Sequence, residues 1–339
     1  MKSIYLIKKG NAAEAFEFRE TPKPAPADDE VIIQVEYSGL NFADILARKG
    51  MYKEAPPIPC VLGYDVSGTI ESAGKNINGL KPGDRVAAFT RFGGYSEYVA
   101  ASGMGVVKIP DTLDGATADA LTTQYVTAFY CAAETTNLHE GDSVLIHAAA
   151  GGVGTALVQY ALYKKCTVFA TAGSAVKVEM LNKTGVQYAI NYRKDDYRSV
   201  IKNHAPGGLD AIFDSLGGRF VKDGIRLLSA GGRIICFGAA EMSGSSSIFH
   251  QIKTGLAFGF YHPAQFIIPS KSLIGVNMLR IADTRPVVLK RCMEEVMGLY
   301  NKGVFKPLIG KIFPASEIAK AHEYVESRES IGKVLIKWP

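Results

Sequence analysis

The sequence predicts an α/β protein in which a β-rich, barrel-like region is followed by a doubly wound parallel sheet. Three observations lead there. The first hundred or so residues carry short apolar runs broken by glycine and proline, and the middle of the chain alternates strand-like and helix-like stretches. Within that middle, Ser143-Val144-Leu145-Ile146-His147 runs into Ala148-Ala149-Ala150-Gly151-Gly152-Val153-Gly154 and then Thr155-Ala156-Leu157-Val158-Gln159-Tyr160-Ala161, which reads as strand, glycine turn and helix.

In the first region the strand signals are Glu30-Val31-Ile32-Ile33-Gln34-Val35-Glu36, Gly68-Thr69-Ile70-Glu71-Ser72-Ala73 and Asp84-Arg85-Val86-Ala87-Ala88-Phe89. From residue 116 to 134 the texture turns helical. Strands then follow at 143–147, 167–170, 188–191, 209–214, 232–237 and 272–276, separated by helices at 154–164, 175–184, 198–203 and 219–228. A helix at 286–302 precedes a final strand from Lys333 to Trp338, which is expected to return to the first domain. Residues 240–271 form an apolar insertion with Ile248, Phe249, Ile252, Leu256, Phe260 and Phe266 at roughly helical spacing. It reads either as a cover for the sheet edge or as a lid on a hydrophobic pocket.

The glycine turn is a cradle for a dinucleotide. A Cβ at Gly151, Gly152 or Gly154 would obstruct the turn or the approach of backbone N–H groups, Val153 included, to a pyrophosphate at the helix N-terminus.

At 339 residues the chain exceeds the usual single-domain size, and 35 glycines imply many sharp turns. The net charge of +5 is not gathered into a basic run, which argues against duplex nucleic acid as a partner. Five widely spaced cysteines, Cys60, Cys131, Cys166, Cys236 and Cys292, argue against a disulfide framework and a structural zinc site. The N-terminus has too little apolar length for a signal peptide, and no stretch reaches the ~20 residues of a membrane span, so a cytoplasmic location is expected.

The chain resembles the zinc-free quinone oxidoreductases of the medium-chain dehydrogenase/reductase superfamily. The likeness rests on Gly39-Leu40-Asn41-Phe42-Ala43-Asp44, Gly50-Met51-Tyr52, Gly63-Tyr64-Asp65-Val66-Ser67-Gly68, Lys81-Pro82-Gly83-Asp84-Arg85-Val86, Gly93-Gly94-Tyr95-Ser96-Glu97-Tyr98 and the 148–154 turn. The later part, with its insertion, Asn301-Lys302-Gly303-Val304-Phe305-Lys306-Pro307 and Ile331-Gly332-Lys333-Val334-Leu335, looks most like the branch containing the vesicle amine transport proteins. The resemblance implies a GroES-like catalytic domain at 1–120, completed by about 277–339, and a Rossmann domain at 121–276. Zinc-dependent relatives carry a cysteine where this chain has Asn41 and a histidine where it has Tyr64. An amide and a phenol do not replace those ligands, so no metal is expected.

NADPH is the expected cofactor. Where NAD-specific folds place a carboxylate after the second strand, this chain reads Thr171-Ala172-Gly173-Ser174-Ala175-Val176-Lys177. That loop offers hydroxyls and, at Lys177, a charge for a 2′-phosphate; the alternative for Lys177 is a solvated helix lysine. The resemblance adds Tyr192 near that phosphate, Lys333 and Asn41 as further cofactor contacts, Thr127 toward the nicotinamide and Gly238 beside its ribose. Tyr192 and Lys333 read equally as surface residues, and Gly238 as a turn glycine.

A quinone accepts hydride without a metal if hydrogen-bond donors stabilise its developing phenolate, and Asn41 and Tyr52 are the candidates. Tyr52 lies eleven residues after Asn41, the spacing of the proton-donating tyrosine in related enoyl-thioester reductases. The same donor serves an enone or an enoyl thioester, so double-bond reduction is the enzymatic rival. Asp44 and Asp65 read as structural partners, Tyr64 as packing and His147 as a core histidine. A non-catalytic NADPH-binding scaffold with a lipid, RNA or protein partner is the rival of a different kind. The family resemblance also implies a homodimer formed through edge strands of the nucleotide domain.

Overall fold

The structure, a computed structural model, describes residues 1–241 and 255–339. The chain divides into one unit made of Met1–Val126, Met278–Leu299 and Pro307–Pro339, and a second made of Thr127–Asn277 and Tyr300–Lys306.

In the first unit the longest strand, Glu30–Leu40, does the organising. Val31, Ile32 and Ile33 are wholly buried, and because successive side chains point to opposite faces, the sheet is covered on both faces there. It pairs antiparallel with Asp65–Ala73 along its length, with Tyr98–Ser102 through its first half and with the last strand, Lys333–Lys337, through its second half. Register shifts at Ile32/Ile33 and Val35/Tyr37 bend the strand, so that one edge serves two neighbours. The seven-stranded sheet runs in the order Ile309–Pro314, Lys333–Lys337, Glu30–Leu40, Asp65–Ala73, Arg85–Phe89 and Val106–Lys108, with Tyr98–Ser102 off that path. Lys2–Leu6, between Phe16–Glu20 and Cys60–Val61, makes a smaller sheet, and one apolar core joins residues of both. The C-terminal strand is thus paired to the longest strand of this unit.

The second unit is built on six parallel strands in the order Tyr188–Asn191, Thr167–Ala172, Ser143–Ile146, Leu209–Asp214, Leu228–Cys236 and Ser272–Gly275. The chain works outward from Ser143–Ile146 to one edge and then returns to build the other half. The end of that first strand is therefore the point where the winding reverses, and ligands of such sheets bind there. Two of the helices between strands begin on side-chain caps: Ser174 accepts from Lys177 N before Ala175–Lys183, and Asp196 accepts from Arg198 N before Tyr197–His204.

One difference from the expected elements has a local cause. The fifth strand starts at Leu228 rather than 232, because a register shift between Leu209 and Ala211 absorbs the Gly231-Gly232 pair that masks it in the sequence. Of the expected apolar helix, Ile248, Phe249 and Ile252 lie outside the described residues. Among those described, Leu256 is 59% and Phe260 86% exposed, while Phe258 packs on the core of the sheet, over Gly217. Among the described residues no helix is long and apolar enough to cross a membrane.

Candidate active site

The glycine turn leaves the buried strand Ser143–Ile146 through Ala148, which takes the left-handed conformation at φ +50°, and closes with Gly151 N donating to Ala148 O at 2.9 Å. Helix Gly152–Tyr163 follows at once, capped by Gly151. Gly154 is required by packing: a Cβ there would lie 2.4 Å from Ala148 O and 2.6 Å from Ala149 Cα. The helix therefore stands directly on the turn, and its first N–H groups, those of Gly152 and Val153 among them, belong to the positive end of its dipole.

The second strand ends in the loop expected to read the cofactor. Ser174 caps the next helix through Lys177 N at 3.4 Å, so Lys177 sits in its first turn. Tyr192, following the third strand, places its hydroxyl 2.6 Å from where a Cβ on Gly173 would stand, and its N–H bonds Ala172 O at 3.2 Å. Gly173, Ser174, Lys177 and Tyr192 are thus gathered at one strand end with no carboxylate between 171 and 177. Thr171 is turned inward, its hydroxyl 3.1 Å from His147 Nδ1, and Ala172 is buried, so both face the loop through backbone. His147 is wholly enclosed, edge-on to Tyr197 and Phe220, and burial pushes its pKa down to about 3: a neutral core histidine. Gly238 closes on Ser215 O, which a Cβ would approach to 2.6 Å, and Thr127 is buried near the start of the unit.

Asp214 escaped the sequence reading. Its carboxylate, pushed up to about 6 by burial, caps the Leu216 and Gly217 N–H groups at 2.7 and 3.1 Å and shapes the next turn. A buried acid ending an apolar strand was the available signal.

In the first unit Asn41 anchors a buried polar cluster. Its N–H donates to Asp44 Oδ2 at 2.9 Å, which fastens helix Phe42–Arg48. Its side-chain amide donates to Asp65 Oδ1 at 2.8 Å and its carbonyl accepts from Lys333 Nζ at 3.1 Å; only this orientation satisfies both charged neighbours. Lys333 also donates to Asp65 Oδ2 at 2.6 Å and lies 3.6 Å from Asp119 Oδ1. Asp65 takes a third bond, from Thr123 N at 3.2 Å, where the π turn Leu121–Tyr125 widens the helix. Gly39 makes the assembly possible: a Cβ would come within 2.4 Å of Asp65, Asp119 and Lys333.

Three carboxylates and one ammonium share this enclosure. Burial raises Asp119 well above the carboxylate range, and the Asp65 charge adds to that. Burial likewise pushes Asp44 up to about 7, against the backbone bond from Asn41. Burial alone would lower Lys333, but the charges of Asp65, Asp119 and Asp44 outweigh it and leave the ammonium raised. Lys333, expected as a cofactor contact or a surface residue, is only 1% exposed; its ammonium is committed to Asp65 and Asn41, because charge this deep needs a partner. It holds Asn41. Asp119 was missed altogether, although an acid inside the run Ala116-Thr117-Ala118-Asp119-Ala120 is the kind of residue that is buried only when paired.

Tyr52 is partly buried, edge-on to Tyr64 at 6.1 Å, and Tyr64 in turn leans on Phe92 at 5.2 Å. Burial, with the charges of Glu54 and Asp44, pushes the Tyr52 phenol up to about 12, so it keeps its proton. The hydroxyl of Tyr64 is buried among these rings with no hydrogen-bond partner among the described residues. Among the described residues no group of three or more His, Cys, Asp or Glu side chains is arranged to hold a metal ion.

Residues 27–111 match the alcohol dehydrogenase GroES-like domain, and residues 152–292 match the domain family described as zinc-binding dehydrogenase. The synaptic vesicle membrane protein VAT-1 homolog of Danio rerio is 34% identical over 317 residues, covering 93% of this chain and 65% of that protein. The chain therefore spans just under two thirds of that relative. The quinone oxidoreductase of Rattus norvegicus is 31% identical over 320 residues, 92% of this chain and 90% of that protein. Among solved structures, the human VAT-1 homolog-like protein superposes with a TM-score of 0.86 at 29% identity, covering 99% of this chain and 98% of that one. CurK enoyl reductase superposes with 0.87 at 27%, covering 100% and 99%, and Escherichia coli quinone oxidoreductase complexed with NADPH with 0.87 at 25%, covering 99% and 100%. With matches this extensive in both units, and an amide and a phenol at the positions where zinc-dependent relatives carry ligands, the chain belongs to the zinc-free quinone oxidoreductases of the medium-chain dehydrogenase/reductase superfamily, on the branch of the VAT-1 homologues.

Proposed function

We propose that the protein is an NADPH-dependent, zinc-independent reductase that delivers hydride to a conjugated carbonyl, with a hydrophobic quinone as the acceptor. The observation that carries this reading is the strand-end loop: free of carboxylate from 171 to 177, with Lys177 in the first turn of the following helix and the Tyr192 hydroxyl against Gly173, next to a glycine turn that a Cβ at Gly154 would fill. Gly151, Gly152, Val153 and Gly154 would cradle the pyrophosphate, and Thr171, Ala172, Ser174, Lys177 and Tyr192 the 2′-phosphate end. Thr127 and Gly238 would line the nicotinamide end. When bound, NADPH supplies the hydride.

The chain's own contribution is the proton and the positioning. Tyr52 holds a phenolic proton that burial keeps in place at neutral pH, ready for the oxyanion or enolate left by hydride addition. Asn41, clamped between Asp65 and Lys333, presents a fixed amide for cofactor or acceptor. Double-bond reduction of an enoyl thioester is the second reading. It is favoured by the eleven-residue step from Asn41 to Tyr52 and by the likeness to CurK enoyl reductase. The scaffold reading would keep NADPH binding without turnover. The same proposal holds that the protein acts in the cytoplasm as a homodimer.

The test follows absorbance loss of NADPH and NADH with ortho- and para-quinones, a simple enone and an enoyl thioester, all with EDTA present. NADPH-selective quinone reduction supports the proposal, and thioester preference supports the second reading. NADPH that raises thermal stability yet is oxidised by none of these acceptors moves the assignment to the scaffold. Replacing Tyr52 by Phe lowers turnover and leaves NADPH affinity intact; an unchanged rate removes Tyr52 as the donor.

A further inference from the structure

We propose that the ion pair between Glu54 and Arg280 positions Tyr52 for proton transfer, which makes both of them positioning residues of the reaction; this rests on the reading of Tyr52 as the donor. Tyr52 lies between helix Phe42–Arg48 and strand Cys60–Val61, in a segment that is neither helix nor strand. Its backbone fastenings are Met51 N to Leu46 O at 2.8 Å and Ala55 N to Tyr52 O at 3.2 Å. The second closes a four-residue turn of Tyr52, Lys53, Glu54 and Ala55, so whatever fixes Glu54 fixes Tyr52 as well.

Glu54 is fixed by a guanidinium fork. Its Oε1 accepts from Arg280 Nε at 2.9 Å and lies 2.8 Å from Arg280 Nη2, and the Glu54 side chain is only 15% exposed. An ion pair in open solvent adds little, but here the carboxylate is shielded and carries both contacts, which restricts the angle at which the turn can sit. Arg280 belongs to the seven-residue helix Met278–Thr284. The same helix bears Asp283, which accepts from Arg91 Nε at 2.8 Å, and Arg91 precedes Phe92 on the loop that backs Tyr64. One short helix therefore pins both loops whose aromatic rings flank Tyr64. The charges also reach the phenol itself, Glu54 raising it and Arg91 and Arg280 lowering it, while burial is the main cause that keeps the proton on Tyr52.

The test uses the full chain with NADPH and para-benzoquinone. E54Q and R280Q are each expected to lower kcat roughly ten-fold, as a slightly misplaced donor does, with the KM for NADPH unchanged. The charge swap E54R/R280E is expected to restore kcat to within about three-fold of wild type, and E54Q added to Y52F to produce no further loss. K8Q, which breaks the exposed Lys8–Glu14 pair, serves as a control without effect. If Y52F is slow while E54Q and R280Q turn over like wild type, the positioning role is overturned. It is equally overturned if both variants lose activity together with thermal stability and the swap rescues neither. If Y52F itself turns over like wild type, the donor reading fails instead.

Discussion

Replacing Lys333 by Met tests the buried cluster directly. The substitution keeps most of the side-chain volume and removes the ammonium that donates to Asp65 at 2.6 Å and to Asn41 at 3.1 Å. Asp65, itself 0% exposed, is left without its counter-charge and keeps only the bonds from Asn41 Nδ2 and Thr123 N. Breaking one side of a buried pair costs ~3–5 kcal/mol, largely because a charge is stranded in a poorly polarisable interior. At ~2–4 °C per kcal/mol for a unit of this size, the melting temperature falls by roughly 6–20 °C. The second substitution, D65N, removes the stranded charge, so K333M/D65N recovers most of the loss. Denaturant and thermal unfolding of wild type, both single variants and the double variant measure the coupling. A K333M penalty below ~1 kcal/mol, or a D65N change that simply adds to it, refutes the cluster as a paired unit. The pH dependence has a definite sign. Because the folded pKa of Lys333 is raised, its stabilisation is complete below the unfolded value of roughly 10.4 and is lost only as pH rises through the higher folded value.

His322 is 0% exposed with neither ring nitrogen bonded, and burial, aided by Arg48, holds its pKa well below the usual value. The unfolded chain therefore takes up a proton below about pH 6.5 that the folded chain refuses, at ~1.4 kcal/mol per pH unit. H322F is expected to flatten the acid limb of stability by about one proton; urea unfolding at pH 5 and pH 7.5 with an unchanged difference would contradict this. Lys177→Ala is expected to weaken NADPH by ~1–3 kcal/mol while sparing NADH, and equal losses in calorimetry would refute the 2′-phosphate role. Light scattering at micromolar concentration is expected to give a dimer, and a monomer would remove that proposal.

What the sequence determined by itself lies close along the chain. Strand, glycine turn and helix at 143–161 are set by apolar period and by residues without a Cβ, and the missing carboxylate at 171–177 is a plain fact of composition. Caps such as Ser174 and Asp196 act on N–H groups two or three residues away, so local chemistry dictates them. Tertiary structure alone decided what Lys333 and Asp119 do. Lys333 reaches Asn41 because the last strand pairs Val334 with Leu40, which puts the lysine one residue beyond, next to Asn41; a one-residue slip would turn its side chain to the other face. Asp65 and Asp119 meet that ammonium only because Gly39 leaves room for all three. The pKa directions followed the same route, since burial is a property of the packed unit and of no residue type. Tyr52 was legible as a candidate from its spacing, whereas the turn and the Arg280 fork that hold it join positions 226 residues apart, and no local pattern encodes such a contact.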